Sequence, residues 1–319
     1  MPETTPTKTA FIGVGAMGEA IATGYAKNAA AHSDHSYADT NQSGVQQGSS
    51  QPNKNQLGSV SLHQLHLFDT KPELAERVAQ TIAPTPEISA IATTSLKEAL
   101  TGAQTVVLAV KPQIQAEVIA QVAEFLNLDT LVISIAAGRT LEQLAADFAA
   151  AGCPQVPLVR VMPNVNAQAG AAMSALAANP QATAAHRQAA EHIFSAVGTT
   201  IWLPETQFSI FTALAGSSPA WFFQIVDALA HAGVNHGLTK ADATKIATQA
   251  MLGSAKMLQA EVAQGTHPGA LIDRVCSPAG TTIAGLLAAE AAGLSLSLTD
   301  AVDATVQRDQ ELGQLSSSK

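Results

Sequence analysis

The sequence predicts an α/β protein: an N-terminal doubly wound, mostly parallel sheet followed by an all-helical second domain. Three observations carry that prediction. Short apolar runs alternate with helical patterns from Thr7 to Leu203, the rhythm of strand–helix–strand units. Two of those runs, Thr105–Val110 and Thr130–Ala137, are continuous and rich in β-branched residues, as strands buried on both faces are. Beyond Pro204 the strand signal stops and only helical patterns remain.

The elements follow in order. An apolar run at Thr9–Ile12 enters a turn with glycines at 13, 15 and 18, and a helical pattern runs from Ala16 to Lys27. Residues 28–62 are dense in Ser, Asn, Gln, His and Gly and read as a polar, solvated insertion. The core resumes with a strand at Leu65–Asp69, and Pro72 opens a helix at its first turn, where a missing N–H costs nothing. A weaker strand–helix pair spans Ile88–Leu100. The run Thr105–Val110 ends at Lys111-Pro112 before a helix, and Thr130–Ala137 stops at Gly138. Leu158–Met162 is the next strand. Ala172–Ala178, Pro180–Val197 and Thr199–Leu203 add strand, helix and strand as an extension of the sheet. The helical part holds an apolar stretch at Ala220–Ala232 and an amphipathic one at Asp242–Gln264, and the tail Ser316–Lys319 should fray. The expected domains are 1–205 and 206–319.

Composition narrows the function classes. The 319 residues suffice for two domains, and 47 % hydrophobic content supplies a core. Aromatics are only 4 %, and the abundant alanine suits close helix packing against a partner subunit. A net charge of −9 counts against nucleic-acid binding, which wants a basic face. Cys153 and Cys276 belong to no C-x-x-C pair and no zinc spacing, so they read as reduced thiols in a cytoplasmic protein. His32, His35, His63 and His66 share no acidic or thiol partners at tight spacing, so no metal is expected. Met1–Thr7 lacks the basic start and apolar block of a signal peptide, and no apolar run reaches the length of a membrane helix.

The chemistry begins at Phe11-Ile-Gly-Val-Gly-Ala-Met-Gly18. In a dinucleotide-binding unit the first glycine makes the turn, the second lets backbone approach a pyrophosphate, and the third packs helix on strand. The phosphates then rest on unpaired N–H groups of the helix start. The same glycines also suit an ordinary strand-to-helix turn. Ligands of open α/β sheets bind at the carboxyl ends of strands. Three such ends carry unusual punctuation: Ala109-Val-Lys-Pro112, Ile135-Ala-Ala-Gly138 and Arg160-Val-Met-Pro-Asn164. In the helical half, Gly216-Ser-Ser-Pro-Ala220 opens a helix and reads most simply as an N-terminal cap. Cys276-Ser-Pro-Ala-Gly-Thr-Thr-Ile283 is either a capped turn or a cradle for a carboxylate, built from hydroxyls and helix-start N–H groups. No G-x-S-x-G elbow and no Walker lysine is present.

Together with Gly253-Ser-Ala-Lys256 and His267-Pro-Gly269, these motifs in this order resemble the pyrroline-5-carboxylate reductase family almost end to end, the insertion apart. The resemblance implies a Rossmann-type sheet with a helical dimerisation domain. It implies reduction of 1-pyrroline-5-carboxylate to L-proline by NADPH or NADH, the last step of proline biosynthesis. By carry-over, Ile12, Gly13, Gly15, Ala16, Met17 and Gly18, together with Ala109, Val110, Lys111, Pro112, Ala137 and Asn164, bind the cofactor. Ser277 and the amides of Gly280 and Thr281 hold the substrate carboxylate, and Thr282 hydrogen-bonds the ring nitrogen as the catalytic hydroxyl. The resemblance further implies homodimers, often built into homodecamers, with each active site shared between subunits.

Three departures from the family pattern carry expectations. Val165-Asn166 follows Met-Pro-Asn where Thr-Pro is usual, which removes a hydroxyl and a stiffening proline. Ala279 stands where glycine is usual, so a positive φ there would strain the turn. Asp69 replaces a small polar residue at the end of the second strand. A carboxylate there accepts a ribose 2′-OH and repels a 2′-phosphate, which shifts preference toward NADH, although Thr70 and Lys71 lie next to it as phosphate contacts. Two other readings compete. A 3-hydroxyacid dehydrogenase needs a lysine on the helix after Pro219, and none occurs before Lys240. A non-catalytic nicotinamide sensor would not need the hydroxyl-rich turn at 276–282.

Overall fold

A computed structural model describes residues 7–35 and 63–317, apart from Ala83 and Pro86. The chain forms two compact units, Met1–Phe211 with Asp309–Lys319, and Thr212–Arg308.

The first unit is an eight-stranded sheet with the order β3-β2-β1-β4-β5-β6-β7-β8. The strands are β1 (Thr7–Ile12), β2 (His63–Phe68), β3 (Ile88–Ala92), β4 (Thr105–Leu108), β5 (Leu131–Ser134), β6 (Leu158–Met162), β7 (Ala172–Ala178) and β8 (Gly198–Trp202). β1 to β6 are parallel, β7 runs antiparallel to β6, and β8 is parallel to β7. The strand order reverses between β1 and β4, so their carboxyl ends bound the crevice where such sheets bind ligands.

Alternation along each strand divides the core between the two faces. Val107, Ile133 and Val159 pack with α1 (Ala16–His35), α2 (Pro72–Thr81) and α6 (Ala184–Ser195) through Ile21, Val78 and Phe194. Val106, Leu108 and Val132 pack with α3 (Leu96–Leu100), α4 (Gln115–Ala123) and α5 (Leu141–Ala150) through Leu100, Ile119 and Phe148. Caps explain several boundaries. Thr140 and Thr183 each make a capping box, with Gln143 and His186 respectively.

Several element boundaries differ from the sequence reading. α1 continues to His35, past the expected end at Lys27, because Ala29-Ala-Ala31 are strong helix formers. The rest of the polar insertion, residues 36–62, and the extreme tail lie outside the described residues. β4 and β5 stop at Leu108 and Ser134, short of Val110 and Ala137. The apolar residues beyond them line a pocket, so a continuous apolar run overstates the strand. The expected helix at Pro180–Val197 occupies Ala184–Ser195 because Thr183 caps it.

His63 and His66 sit half-buried on β2, and each has a buried Nδ1 with no hydrogen-bond partner. Burial lowers the pKa of both; His192 adds to the effect at His63, and Lys8 at His66. A depressed folded-state pKa means that the unfolded chain binds more protons below the ordinary value of 6.5. Their contribution is therefore intact above that pH and lost as pH falls below it. The thermal midpoint should drop between pH 7.5 and 5.5, and the slope should flatten in a His63→Gln, His66→Gln double variant. A slope unchanged by the double variant would exclude these side chains as its source.

The second unit contains α8 (Ser218–Asn235), α9 (Lys240–Val262), α10 (Pro268–Val275), α11 (Thr281–Ala291) and most of α12 (Leu294–Ser317); α7 (Phe208–Phe211) closes the first unit's main segment. α8 and α9 pack closely at small residues, since a Cβ at Gly233 would lie 2.8 Å from that of Ala243. Many large apolar side chains in this unit stay open, among them Phe223 at 64 % and Leu287 at 61 % exposure, and α11 buries no residue. Among the described residues no single helix is long and apolar enough to cross a membrane.

Candidate active site

The glycine turn leaves β1 and starts α1, and each glycine has its own steric situation. Gly13 takes φ +91°, and a Cβ there would meet the Ala109 carbonyl at 2.8 Å. A Cβ at Gly18 would collide with the Gly13 carbonyl. A Cβ at Gly15 would meet nothing within 4 Å. The outer two therefore close strand, turn and helix against each other, and the middle one faces open space where a phosphate can come close to backbone. The first amides of α1 have no carbonyl within the helix to pair with. This arrangement fits a dinucleotide pyrophosphate.

Asp69 lies just past β2, half-buried beside this turn. Its Oδ2 accepts the Val14 N–H at 2.9 Å and its Oδ1 accepts the Lys71 N–H at 3.0 Å. The carboxylate is thus fastened to the glycine turn itself, a role that its position in the sequence did not announce. Thr70 and Lys71 are exposed next to it.

At the carboxyl ends of β4, β5 and β6 an open pocket of about 250 Å³ is lined by Met17, Ala109, Val110, Lys111, Pro112, Ile135, Ala136, Ala137, Met162 and Pro163. Six expected cofactor residues meet here: Met17, Ala109, Val110, Lys111, Pro112 and Ala137. Ile12 is a core residue at 2 % exposure. Asn164 is also buried, and its Oδ1 accepts the Met173 N–H at 3.3 Å, which ties the end of β6 to β7. Val165-Asn166 open a short 3₁₀ turn, Val165–Ala169, that ends at Gly170 with φ +65°.

In the second unit, Ser277-Pro278-Ala279-Gly280 forms a tight turn closed by the Gly280 N–H donating to the Ser277 carbonyl at 3.0 Å. Proline second and a positive φ third are the signature of a type II turn. Ala279 has φ 55°, the single non-glycine residue with positive φ among those described. A Cβ at Gly280 would collide with the Ser277 hydroxyl. Gly280 is the N-cap of α11, so Thr281 and Thr282 occupy its first two positions, and their amides have no partner within the helix. The Gly280 amide is engaged inside the turn; those of Thr281 and Thr282, with the Ser277 hydroxyl, are the donors the turn offers to an anion. Left-handed φ costs a non-glycine residue about 1–2 kcal/mol. Ala279→Gly should therefore raise stability by up to about 1 kcal/mol, after the larger entropy of an unfolded glycine is subtracted. Chemical denaturation measures it, and a loss of stability would show the turn to be unstrained.

One further reading is corrected by geometry. Ser217 and Ser218 do not cap α8: Thr212–Ser217 is a π-helical turn that leads into it, and the Ser218 hydroxyl donates to the Leu214 carbonyl at 2.7 Å. Pro219, which lacks an N–H and crowds the turn before it, accounts for the widened turn. Lys240 opens α9 and its ammonium pairs with Asp227 at 2.7 Å. α8 itself holds no lysine, which disfavours alcohol dehydrogenase chemistry. Sequence reading also passed over Gln115. It shares a stripe with Ile119, Val122 and Ala123 on α4 and is fully buried, so a polar residue in an apolar i, i+4, i+7, i+8 pattern was the available signal.

A doubly wound sheet with this glycine turn, and a pocket beside it at the carboxyl ends of β4, β5 and β6, is the frame of a dinucleotide-dependent oxidoreductase. Residues 205–312 match the pyrroline-5-carboxylate reductase dimerisation family, and residues 63–138 match a family described as NADP oxidoreductase, coenzyme F420-dependent. The pyrroline-5-carboxylate reductase of a Synechocystis strain is 40 % identical over 217 residues, 68 % of this chain and 78 % of that protein. The solved pyrroline-5-carboxylate reductase of Coxiella burnetii is 27 % identical with a TM-score of 0.77, covering 97 % of this chain and 99 % of that one. That of Streptococcus pyogenes is 30 % identical with a TM-score of 0.69, covering 96 % and 99 %. The chain belongs to the pyrroline-5-carboxylate reductase family.

Proposed function

We propose a division of labour for the reduction of 1-pyrroline-5-carboxylate to L-proline by NADPH or NADH, the reaction that family membership assigns to this chain. The glycine turn and the 109–112 loop would hold the reduced nicotinamide coenzyme, which would supply a hydride to the imine carbon. The rest falls to protein groups. The glycine turn and the start of α1 hold the pyrophosphate. Ala109–Pro112 and Ala137 flank the nicotinamide end, and the Asn164 side chain sets the strand end beside it. Ser277 and the helix-start amides of α11 bind the substrate carboxylate, and the Thr282 hydroxyl orients the ring nitrogen. Hydride addition at the imine carbon would form the new C–H bond and leave the C=N π electrons as the nitrogen lone pair. The nitrogen carries its proton from the protonated imine, so the step needs no strong acid from the protein. Position and exclusion of water then supply most of the rate.

The observation that carries this reading is the Ser277–Thr282 turn. It unites a hydroxyl packed against Gly280 where no Cβ would fit, helix-start amides with no partner within the helix and two threonines in one short stretch. The decisive experiment mixes purified protein, NADPH or NADH and 1-pyrroline-5-carboxylate. Loss of reduced-nicotinamide absorbance with this imine, and none with 3-hydroxyacid-derived oxo acids, is the expected result. Consumption with oxo acids alone would overturn it.

The assembly is a homodimer through the helical unit, with a homodecamer as the larger form. Its support is the dimerisation match over 205–312 and the open apolar side chains of α8, α9 and α11. Light scattering should report a multiple of twice the chain mass. A cytoplasmic location suits both the cofactor and the free thiols of Cys153 and Cys276. The carboxylate of Asp69 shifts the cofactor balance toward NADH.

A further inference from the structure

The two loops that line the cofactor pocket are joined underneath by one side chain. Gln115 is the first residue of α4, and its N–H donates to the Pro112 carbonyl, which closes the 3₁₀ turn Pro112–Ile114. Its side chain turns inward and is fully buried. There the Nε2 amide donates to the Ser134 hydroxyl at 2.6 Å. Ser134 is the last residue of β5, 2 % exposed, and its hydroxyl also takes the Ala136 N–H at 3.4 Å. One end of this bridge thus belongs to the loop carrying Pro112, and the other to the loop carrying Ala136 and Ala137. All three residues line the pocket.

The bridge is costly for the core. Its other amide atom, Oε1, is buried with no partner, and such an atom loses its hydration without compensation. Whichever way the amide is turned, one polar atom faces Ser134 and the other is left over. The neighbours along the stripe, Ile119, Val122 and Ala123, show that an aliphatic side chain suits this face. The gain from the glutamine must therefore lie in the bond to Ser134.

We propose that Gln115 is a positioning residue for the coenzyme: through Ser134 it fixes the spacing of the 109–112 and 135–138 loops, and so the width of the pocket between them. This rests on the assignment of those loops to cofactor binding. The bond spans 19 residues of sequence and ties the start of α4, just past the 109–112 loop, to Ser134, the last residue of β5 paired with β4. Past that point the Ile135 N–H still reaches the Leu108 carbonyl at 3.2 Å.

The test uses Gln115→Met, which keeps length and apolar bulk, Ser134→Ala, and the double variant. NADPH affinity of the full-length protein is measured by fluorescence titration, alongside the thermal midpoint and steady-state constants. Each single variant should weaken NADPH binding by about three- to tenfold, the size of one buried hydrogen bond, and raise the NADPH KM in step. kcat at saturating NADPH should stay within about twofold, because the reacting groups are untouched. The double variant should be no weaker than either single, since both remove the same bond. A fall in thermal midpoint with unchanged NADPH affinity would make the bridge merely structural and overturn the proposal; so would additive effects. If Gln115→Met does not fold, Ser134→Ala removes the same bond with a smaller change. The titrations require no imine, so they judge the bridge even if the imine is not reduced. Reduction by variants with unaltered NADPH affinity would remove the bridge and leave the activity standing.

Discussion

Replacement of Thr282 by alanine is expected to lower kcat on the order of 10²-fold, while NADPH affinity stays within about twofold. The size is that of lost orientation, since a misplacement of about 1 Å can cost about 10²-fold. Thr282 is exposed at the second position of α11, next to the strained turn at Ala279. Alanine is the better helix former at such a site, so stability should hold or rise, and a loss of activity cannot be charged to unfolding. Thr282→Ser keeps the hydroxyl and should recover most of the lost rate. The substrate KM separates two roles. If the hydroxyl orients the ring nitrogen only as the hydride arrives, kcat and kcat/KM fall together; if it also binds the ground state, KM rises as well. Unchanged turnover in Thr282→Ala would take Thr282 out of the reaction and leave the turn as a carboxylate holder alone.

Asp69→Asn is expected to raise the ratio of kcat/KM for NADPH over that for NADH by about 10- to 100-fold. Unit charges 4 Å apart interact by about 4 kcal/mol at an effective dielectric constant near 20. A half-exposed carboxylate facing a 2′-phosphate loses part of that to solvent and salt, and a remaining 1.4 kcal/mol is already about tenfold. Asparagine is the informative replacement. It removes the charge yet retains an acceptor for the Val14 N–H, whereas serine or alanine would also release the glycine turn from its tether. The NADH constants should change less than those for NADPH. Equal efficiency with both cofactors in the unaltered protein, or a ratio that does not move on substitution, would show that the phosphate lies out of reach of Asp69.

Much of this architecture is legible in the chain because its signals are local. The glycine spacing at 13, 15 and 18 specifies a strand, a turn and a helix start within eight residues, and the tight approaches at Gly13 and Gly18 are what those glycines permit. The β-branched runs mark buried strands, and the loss of alternation past Pro204 marks the helical part. Even the strain at Ala279 was foreseeable, since an alanine in a Ser-Pro-x-Gly turn must take the φ that the turn demands. Local pattern misled where apolar residues served a pocket rather than the sheet, at Ala109-Val110 and Ile135–Ala137.

What only the tertiary structure decided are the pairings between residues distant in sequence. The attachment of Asp69 to Val14 crosses 55 positions, and that of Gln115 to Ser134 crosses 19. The reversal of β7 against β6 is also of this kind. Hydrophobic periodicity states that a face will be covered but not by what, because burial is non-directional. A hydrogen bond is directional and needs its partner within about 3 Å, so its identity exists only once the sheet has set which strand ends stand side by side.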